Sequence, residues 1–272
     1  MVSIYKKVEE LKAEGIHHAL CIIVSTKGST PLKTEAKMIV TESGNIYGTI
    51  GGGNFEKRVI KDALDVIETK RSGEFEHNLL QQHGMCCGGS VTVYIESIMP
   101  TNKLYIFGAG HVGRALSTFA SALDFEVFVI DERKEEMDQL QCKEVNKMNV
   151  SYLEVLPMLP FDDRSYIAIM TYDHFLDREI LAFCLNKPKA YLGMIGSQRK
   201  VEITKKMFLS TSLYDLEELL KVDMPMGYNI NATGPEEIAI SILAKIIKVK
   251  NEINSSKNNE KHISKSNRVE SL

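Results

Sequence analysis

The segment "KLYIFGAGHVGRALSTFASALDFEVFVIDER", residues 103–133, decides the fold. It reads as an apolar strand, a glycine turn, a helix, a second apolar strand and a closing acid. Gly108, Gly110 and Gly113 stand between strand and helix in the spacing G-x-G-x-x-G, with His111 inside the turn. Asp131 ends the next strand, eighteen residues after Gly113. Such glycines permit a tight turn and bring bare amides at a helix start against a phosphate or pyrophosphate. An acid at the end of the second strand can accept from a ribose hydroxyl. Two readings stand open here: a nucleotide or phosphate site, and a turn kept for helix–strand packing alone.

Working outward, "SYIAIMT" (165–171) and "AYLGMIG" (190–196) are further apolar runs, each followed by a helical stretch. Alternation of buried strands with helices predicts a parallel sheet, so residues 103–249 read as a Rossmann-like domain. "TYDHFLD" (171–177) puts Asp173 and His174 at the carboxyl edge of that sheet, where open α/β sheets take ligands. "GMIGSQRKV" (193–201) ends a strand in Gly196 and opens a helix with Ser197, Arg199 and Lys200, a set that fits either an anion cradle or a solvated helix. Thr233 and Glu236, spaced as a capping box with Pro235 between them, predict a last helix with Ile238, Ile242 and Ile246 on its buried stripe. From Lys250 the chain is polar, and residues 250–272 are expected to be a disordered tail.

Ahead of a polar joint at 99–103, residues 1–98 read as a small α+β domain. It has a helix at 3–15, a strand at 19–25, and a hairpin turning on Ser43, Gly44 and Asn45. In "GTIGGGNFEKRV" (48–59), Gly51, Gly52 and Gly53 precede a helix over 54–71 that carries Phe55, Val59, Ala63, Val66 and Ile67 at helical spacing. The triple glycine suits a bound anion or a turn that needs positive φ. Glu56 fits a proton-handling group or a helix-start acid. Two further strands flank "QHGMCCGGSV" (81–90), with Cys86, Cys87 and Gly88 at its centre. Neighbouring Cα atoms lie about 3.8 Å apart, below the roughly 4.4–6.8 Å of an unstrained disulfide. The pair is then two packed thiols, one reactive thiol, or, with His83 and Met85, a soft-ligand site.

The 272 residues are 44% apolar and 25% charged, ordinary values for one large or two medium globular domains. A net charge of −3 points away from nucleic acid and anionic membrane surfaces, and no apolar run approaches the roughly 20 residues of a membrane span. Five cysteines with one close pair do not make a secreted disulfide framework. The expectation is a reduced, cytoplasmic protein.

The stretches "GSTP", "AKMIV", "GTIGGGNFE", "GMCCGGSVTVYIE", "LYIFGAGHVGRAL", "YLGMIGSQRK" and "GPEEIAISILAKII" together resemble the xanthine dehydrogenase accessory proteins, the XdhC/CoxI family, to about residue 249. The resemblance implies an α/β chain with a small N-terminal α+β domain before a Rossmann-like parallel-sheet domain, commonly homodimeric. It implies a chaperone that binds molybdenum cofactor, as molybdopterin or its dinucleotide form, and protects it while a sulfido ligand is installed. The cofactor then passes to a xanthine dehydrogenase-type molybdenum hydroxylase, with a cysteine desulfurase as a further partner. On that reading Cys86 and Cys87 stand near the molybdenum or receive sulfur, with Cys87, beside Gly88, as the metal-side thiol. The cofactor-binding set is then Gly51, Gly52, Gly53, Glu56, Cys86, Cys87, Gly88, Gly108, Gly110, His111, Gly113, Asp131, His174, Gly196, Ser197, Arg199 and Lys200. Against it stand an NAD(P)-dependent oxidoreductase, drawn from the glycine string and Asp131, and a degenerate module that tethers a partner enzyme.

Overall fold

A computed structural model describes residues 3–28, 33–79, 89–210 and 216–269, with side chains to residue 253. The chain divides into two compact units, the first built on Met1–Thr101 and the second on Asn102–Lys257.

The first unit is a five-stranded antiparallel sheet in the order β3-β2-β1-β5-β4. Its strands are β1 (His18–Lys27), β2 (Lys37–Thr41), β3 (Ile46–Gly48), β4 (Gly73–Asn78) and β5 (Ser90–Ile98). Alternation along the strands sorts their side chains between two layers. Ala19, Cys21, Ile23, Met38 and Val40 face helix α2 (Gly53–Thr69), while Leu20 and Ile39 pack with Val8 and Leu11 of helix α1 (Ile4–Ala13). Phe55, Val59, Ala63, Val66 and Ile67 are buried on α2, and each large side chain among them contributes roughly 1.5–3 kcal/mol. The expected hairpin forms: β2 pairs β3, and Gly44 in the turn has φ of 82°.

The second unit is a wholly parallel sheet in the order β10-β9-β6-β7-β8. Its strands are β6 (Asn102–Phe107), β7 (Phe125–Ile130), β8 (Asn146–Met148), β9 (Ser165–Ile169) and β10 (Tyr191–Met194). Helices α3 (His111–Ala120), α4 (Lys134–Asp138), α5 (Tyr152–Val155), α6 (His174–Leu185), α7 (Gln198–Ser210), α8 (Leu216–Lys221) and α9 (Pro235–Val269) complete it. The sheet is buried on both faces, which is why its strands read as continuous apolar runs. Leu104 and Ile106 enter one core, and Tyr105 and Phe107 the other.

One expectation about α9 is corrected. The capping contact closes on Glu237 rather than Glu236: the Thr233 amide donates to Glu237 Oε2 at 2.6 Å. Gly234, at φ 89°, stands between Thr233 and the first helical residue, Pro235, which shifts the acid by one position. The helical backbone of α9 continues past Lys250 to Val269. Extending an existing helix adds one hydrogen bond per residue without a second nucleation cost.

Gly108 and Gly113 are fixed by packing. A Cβ on Gly113 would lie 1.9 Å from the Gly108 carbonyl oxygen, and one on Gly108 would lie 2.3 Å from the Met170 carbonyl oxygen. A Cβ on Gly110 would meet nothing within 4 Å. Gly113→Ala is therefore expected to lower the unfolding free energy by about 1–3 kcal/mol. Gly110→Ala, at an extended N-cap position where glycine is favoured over alanine, should cost no more than about 1 kcal/mol. Urea unfolding of the two variants side by side checks both values.

Candidate functional site

The strand order reverses at β6, so the crevice beyond its carboxyl end, between the loops that follow β7 and β9, is where such a sheet takes a ligand. The glycine turn there is held from both sides. Gly108 N–H donates to the Ile130 carbonyl at 2.8 Å, and Ala109 N–H to Asp131 Oδ2 at 2.7 Å. The Ala109 carbonyl accepts from Arg114 Nη1 at 2.8 Å. Gly110 is the N-cap of α3 with no side chain capping it, and its carbonyl accepts from Arg114 N–H at 2.9 Å. The amides of the first helical turn have no intrahelical acceptor, and they carry the positive end of the helix dipole. With open space over Gly110, this geometry suits a phosphate.

Asp131 is placed differently from the sequence expectation. It is wholly buried, and both oxygens are engaged by the chain itself. Oδ1 accepts from the Arg133 amide and Nε, and Oδ2 from Arg133 Nη2 and the Ala109 amide. Burial alone would raise its pKa. The Arg133 and Ala109 hydrogen bonds outweigh that and hold the carboxyl below its usual value. It is a brace for the turn, not a free acceptor for a ribose. His111 is exposed on the wall of a cavity of about 400 Å³ with Arg114, Thr118, Gln139, Gln141 and Glu236, a size within the range of ligand pockets.

At the other side of the crevice the structure brings His174 and Lys200 together. They line a cavity of about 150 Å³ with Asp177, Arg178 and Thr204, against Met194, Ile195 and Ile203. Asp177 accepts from the Thr171 amide at 2.9 Å and hydroxyl at 2.7 Å, and faces His174 Nδ1 at 3.3 Å. Burial nevertheless pushes its carboxyl pKa up. Asp173 caps α6 by accepting from Phe175 N–H at 2.8 Å. Gly196 sits in ordinary contact with α7, Ser197 Oγ accepts from Lys200 N–H at 3.4 Å, and Ser197 and Arg199 are exposed outside the cavity wall. Arg133, Tyr172 and Arg178 join this edge without having been singled out in the sequence. Arg133, two residues past the strand-ending acid, was the readable signal among them.

In the first unit the triple-glycine turn already holds an anion, the chain's own Glu56. Its Oε2 accepts from Thr49 Oγ1 at 2.5 Å, Ile50 N–H at 3.1 Å and Gly52 N–H at 3.2 Å. Glu56 thus takes two amides of the turn ahead of α2, and Gly51, Gly52 and Gly53 all stand at positive φ, as the turn requires. Cys86, Cys87 and Gly88 lie outside the described residues. Of the described cysteines, Cys21 and Cys184 are buried, and burial pushes each thiol up to about 12, which makes them poor nucleophiles. Among the described residues no group of three or more His, Cys, Asp or Glu side chains could hold a metal ion.

Comparison with known proteins gives the site a setting. Residues 104–246 match the XdhC Rossmann domain, and residues 11–78 match the XdhC and CoxI family. The protein YqeB of Escherichia coli strain K12, described as uncharacterized, is 32% identical over 256 residues, covering 92% of this chain and 47% of YqeB. A protein of Bacillus subtilis strain 168, described as a probable xanthine dehydrogenase subunit, is 24% identical over 217 residues, covering 79% of this chain and 58% of that protein. The chain thus spans about half the length of the curated relatives it matches. A crystal structure of a xanthine dehydrogenase from Bacillus halodurans superposes with a TM-score of 0.50 at 22% identity, over 92% of this chain and 96% of that one, a likeness of fold.

Glu56 gives a pH prediction. Burial raises its pKa, but the hydrogen bonds from Thr49, Ile50 and Gly52 win, so the folded value lies below the ordinary 4.5. A depressed folded pKa contributes stability above the unfolded value and loses it as pH falls through the folded one. Glu56→Gln should therefore lower the thermal midpoint at about pH 7, with the gap to the parent closing towards about pH 3. Melting curves of both proteins across that range test it.

Proposed function

The chain belongs to the XdhC and CoxI family, and from that premise we propose that it is an accessory protein of a xanthine dehydrogenase-type molybdenum hydroxylase. In this reading it binds molybdenum cofactor through its phosphate, shields it while a terminal sulfido ligand is installed, and passes it to the hydroxylase. The cofactor's redox chemistry belongs to the hydroxylase. What this chain contributes is a seat and an exclusion of solvent.

The observation that carries the reading is Gly110. Packing places no demand on its missing side chain, and it lies at the amides that start α3 in a turn already braced by Asp131 and Arg114. A turn ordered beforehand adds little ordering cost when the anion arrives. Lys200, Arg178 and His174 at the same sheet edge favour a further anionic group. Cytoplasmic residence, a homodimer and a cysteine desulfurase as sulfur donor accompany the proposal. The Asp131 geometry weighs against the dehydrogenase alternative, which needs that carboxylate for a ribose.

The test begins with the protein purified from molybdenum-replete cells and then denatured. A pterin, with molybdenum in stoichiometric proportion, is the expected released molecule. Gly110→Val should lower its retention at least about tenfold, because a branched side chain fills the seat. Tight NADH binding with reduction of a hydride acceptor, or release of no pterin, would show the reading to be wrong.

A further inference from the structure

A ligand lying along this kind of sheet edge puts its phosphates at the first glycine turn and any nucleoside ribose against the acid that ends the next strand. Here that acid is masked. Three nitrogen atoms of Arg133 and the Ala109 amide occupy Asp131 at 2.7–3.0 Å, and the carboxylate has no exposed surface. The third guanidinium nitrogen, Arg133 Nη1, lies 3.8 Å from Glu136 Oε1. Two of the three guanidinium nitrogens are thus bonded to Asp131, and the third stands beside Glu136.

The outer face of the guanidinium is covered as well. The Tyr172 ring stacks on it with 4.5 Å from Arg133 Cζ to the ring centroid, and the Tyr172 hydroxyl donates to Glu132 Oε1 at 2.5 Å. Tyr172 follows β9, whereas Glu132 and Arg133 follow β7, and β6 runs between those two strands. The contact thus straps across the carboxyl end of β6, where a dinucleotide would continue from its phosphates to its ribose. Asp131 would have to give up hydrogen bonds from a charged guanidinium before it could accept from ribose hydroxyls.

We propose that Arg133 is the specificity-determining residue of this crevice: held under Tyr172, it takes both oxygens of Asp131 out of ribose recognition and leaves a seat for a phosphate that carries no nucleoside. The inference rests on the phosphate seat argued under the proposed function, and it adds that the preferred ligand ends in a phosphate monoester rather than a nucleoside diphosphate.

Calorimetric titration with inorganic pyrophosphate and with ADP-ribose tests it on the full chain. Wild-type protein should bind ADP-ribose no more than about threefold tighter than pyrophosphate, and Arg133→Ala should gain at least about tenfold for ADP-ribose with pyrophosphate little changed. Should Arg133→Ala fail to fold, Arg133→Gln, which keeps a donor beside Asp131 but cannot span both of its oxygens, must still raise ADP-ribose affinity at least about threefold. Wild-type preference for ADP-ribose of about tenfold or more, or folded variants that gain nothing, would overturn the role of Arg133 while leaving the seat intact. Absence of pyrophosphate binding to the wild-type protein would instead overturn the seat, and this inference with it.

Discussion

A wholly buried carboxylate is costly unless its charge is met by hydrogen bonds, and the way Asp131 meets that cost shapes the carboxyl edge of the second unit. Its Oδ2 draws in the Ala109 amide, which fixes the turn between β6 and α3. Its remaining capacity is taken by Arg133, which then has to lie flat along the end of β7. The Arg114 side chain completes the brace by donating to the Ala109 carbonyl and pairing with Glu136 at 2.5 Å. The turn is thereby held in one conformation through charged groups on three separate segments. Neutralising Asp131 would release the loop amide and leave Arg133 without its partner at the same time.

The two glycine turns of the chain solve the same electrostatic problem in opposite ways. Amides gathered at a helix start favour a negative group. At α2 the chain supplies one itself: Glu56, a turn into the helix, reaches back to Thr49, Ile50 and Gly52. At α3 the corresponding first-turn residues are His111, Val112 and Gly113, with no acid among them. The internal acid takes two backbone amides of the first turn, those of Ile50 and Gly52. Its absence from the second, together with open space above Gly110, leaves room for an external anion.

Much of the fold was legible because both periodicities are strong in this sequence. Continuous apolar runs at 104–107, 166–169 and 191–194, bounded by glycine turns and alternating with helical stretches, read as buried parallel strands, and the Phe55-to-Ile67 spacing as a helix face. What escaped turned on single residues and long-range pairing. Gly234 displaced the cap of α9 by one position, since a glycine at positive φ inserts a step that spacing rules do not count. Glu56 was visible as a helix-start acid, but not as the anion of its own turn, because that depends on how Gly51 and Gly52 curl. Asp131 was legible as a strand-ending acid. Its capture by Arg133 was not, because the same two residue types serve equally well as an open ribose reader or a closed pair. Cys86 and Cys87, the most distinctive pair in the sequence, lie outside the described residues.

The string G-x-G-x-x-G, finally, mixes two kinds of information that sequence cannot separate and geometry can. Gly108 and Gly113 are glycines because a carbonyl oxygen stands 2.3 Å or less from where a Cβ would sit. Any fold that packs a helix this tightly on the preceding strand needs them, whatever it binds. Gly110 has no such neighbour and an extended backbone open to any residue, so the fold alone does not account for it. The functional content of the motif is therefore concentrated in its middle glycine and in the acid eighteen residues beyond its end. In this chain those two positions differ: a Cβ on Gly110 would meet open space, while Asp131 is bonded on both oxygens by Arg133 and the Ala109 amide.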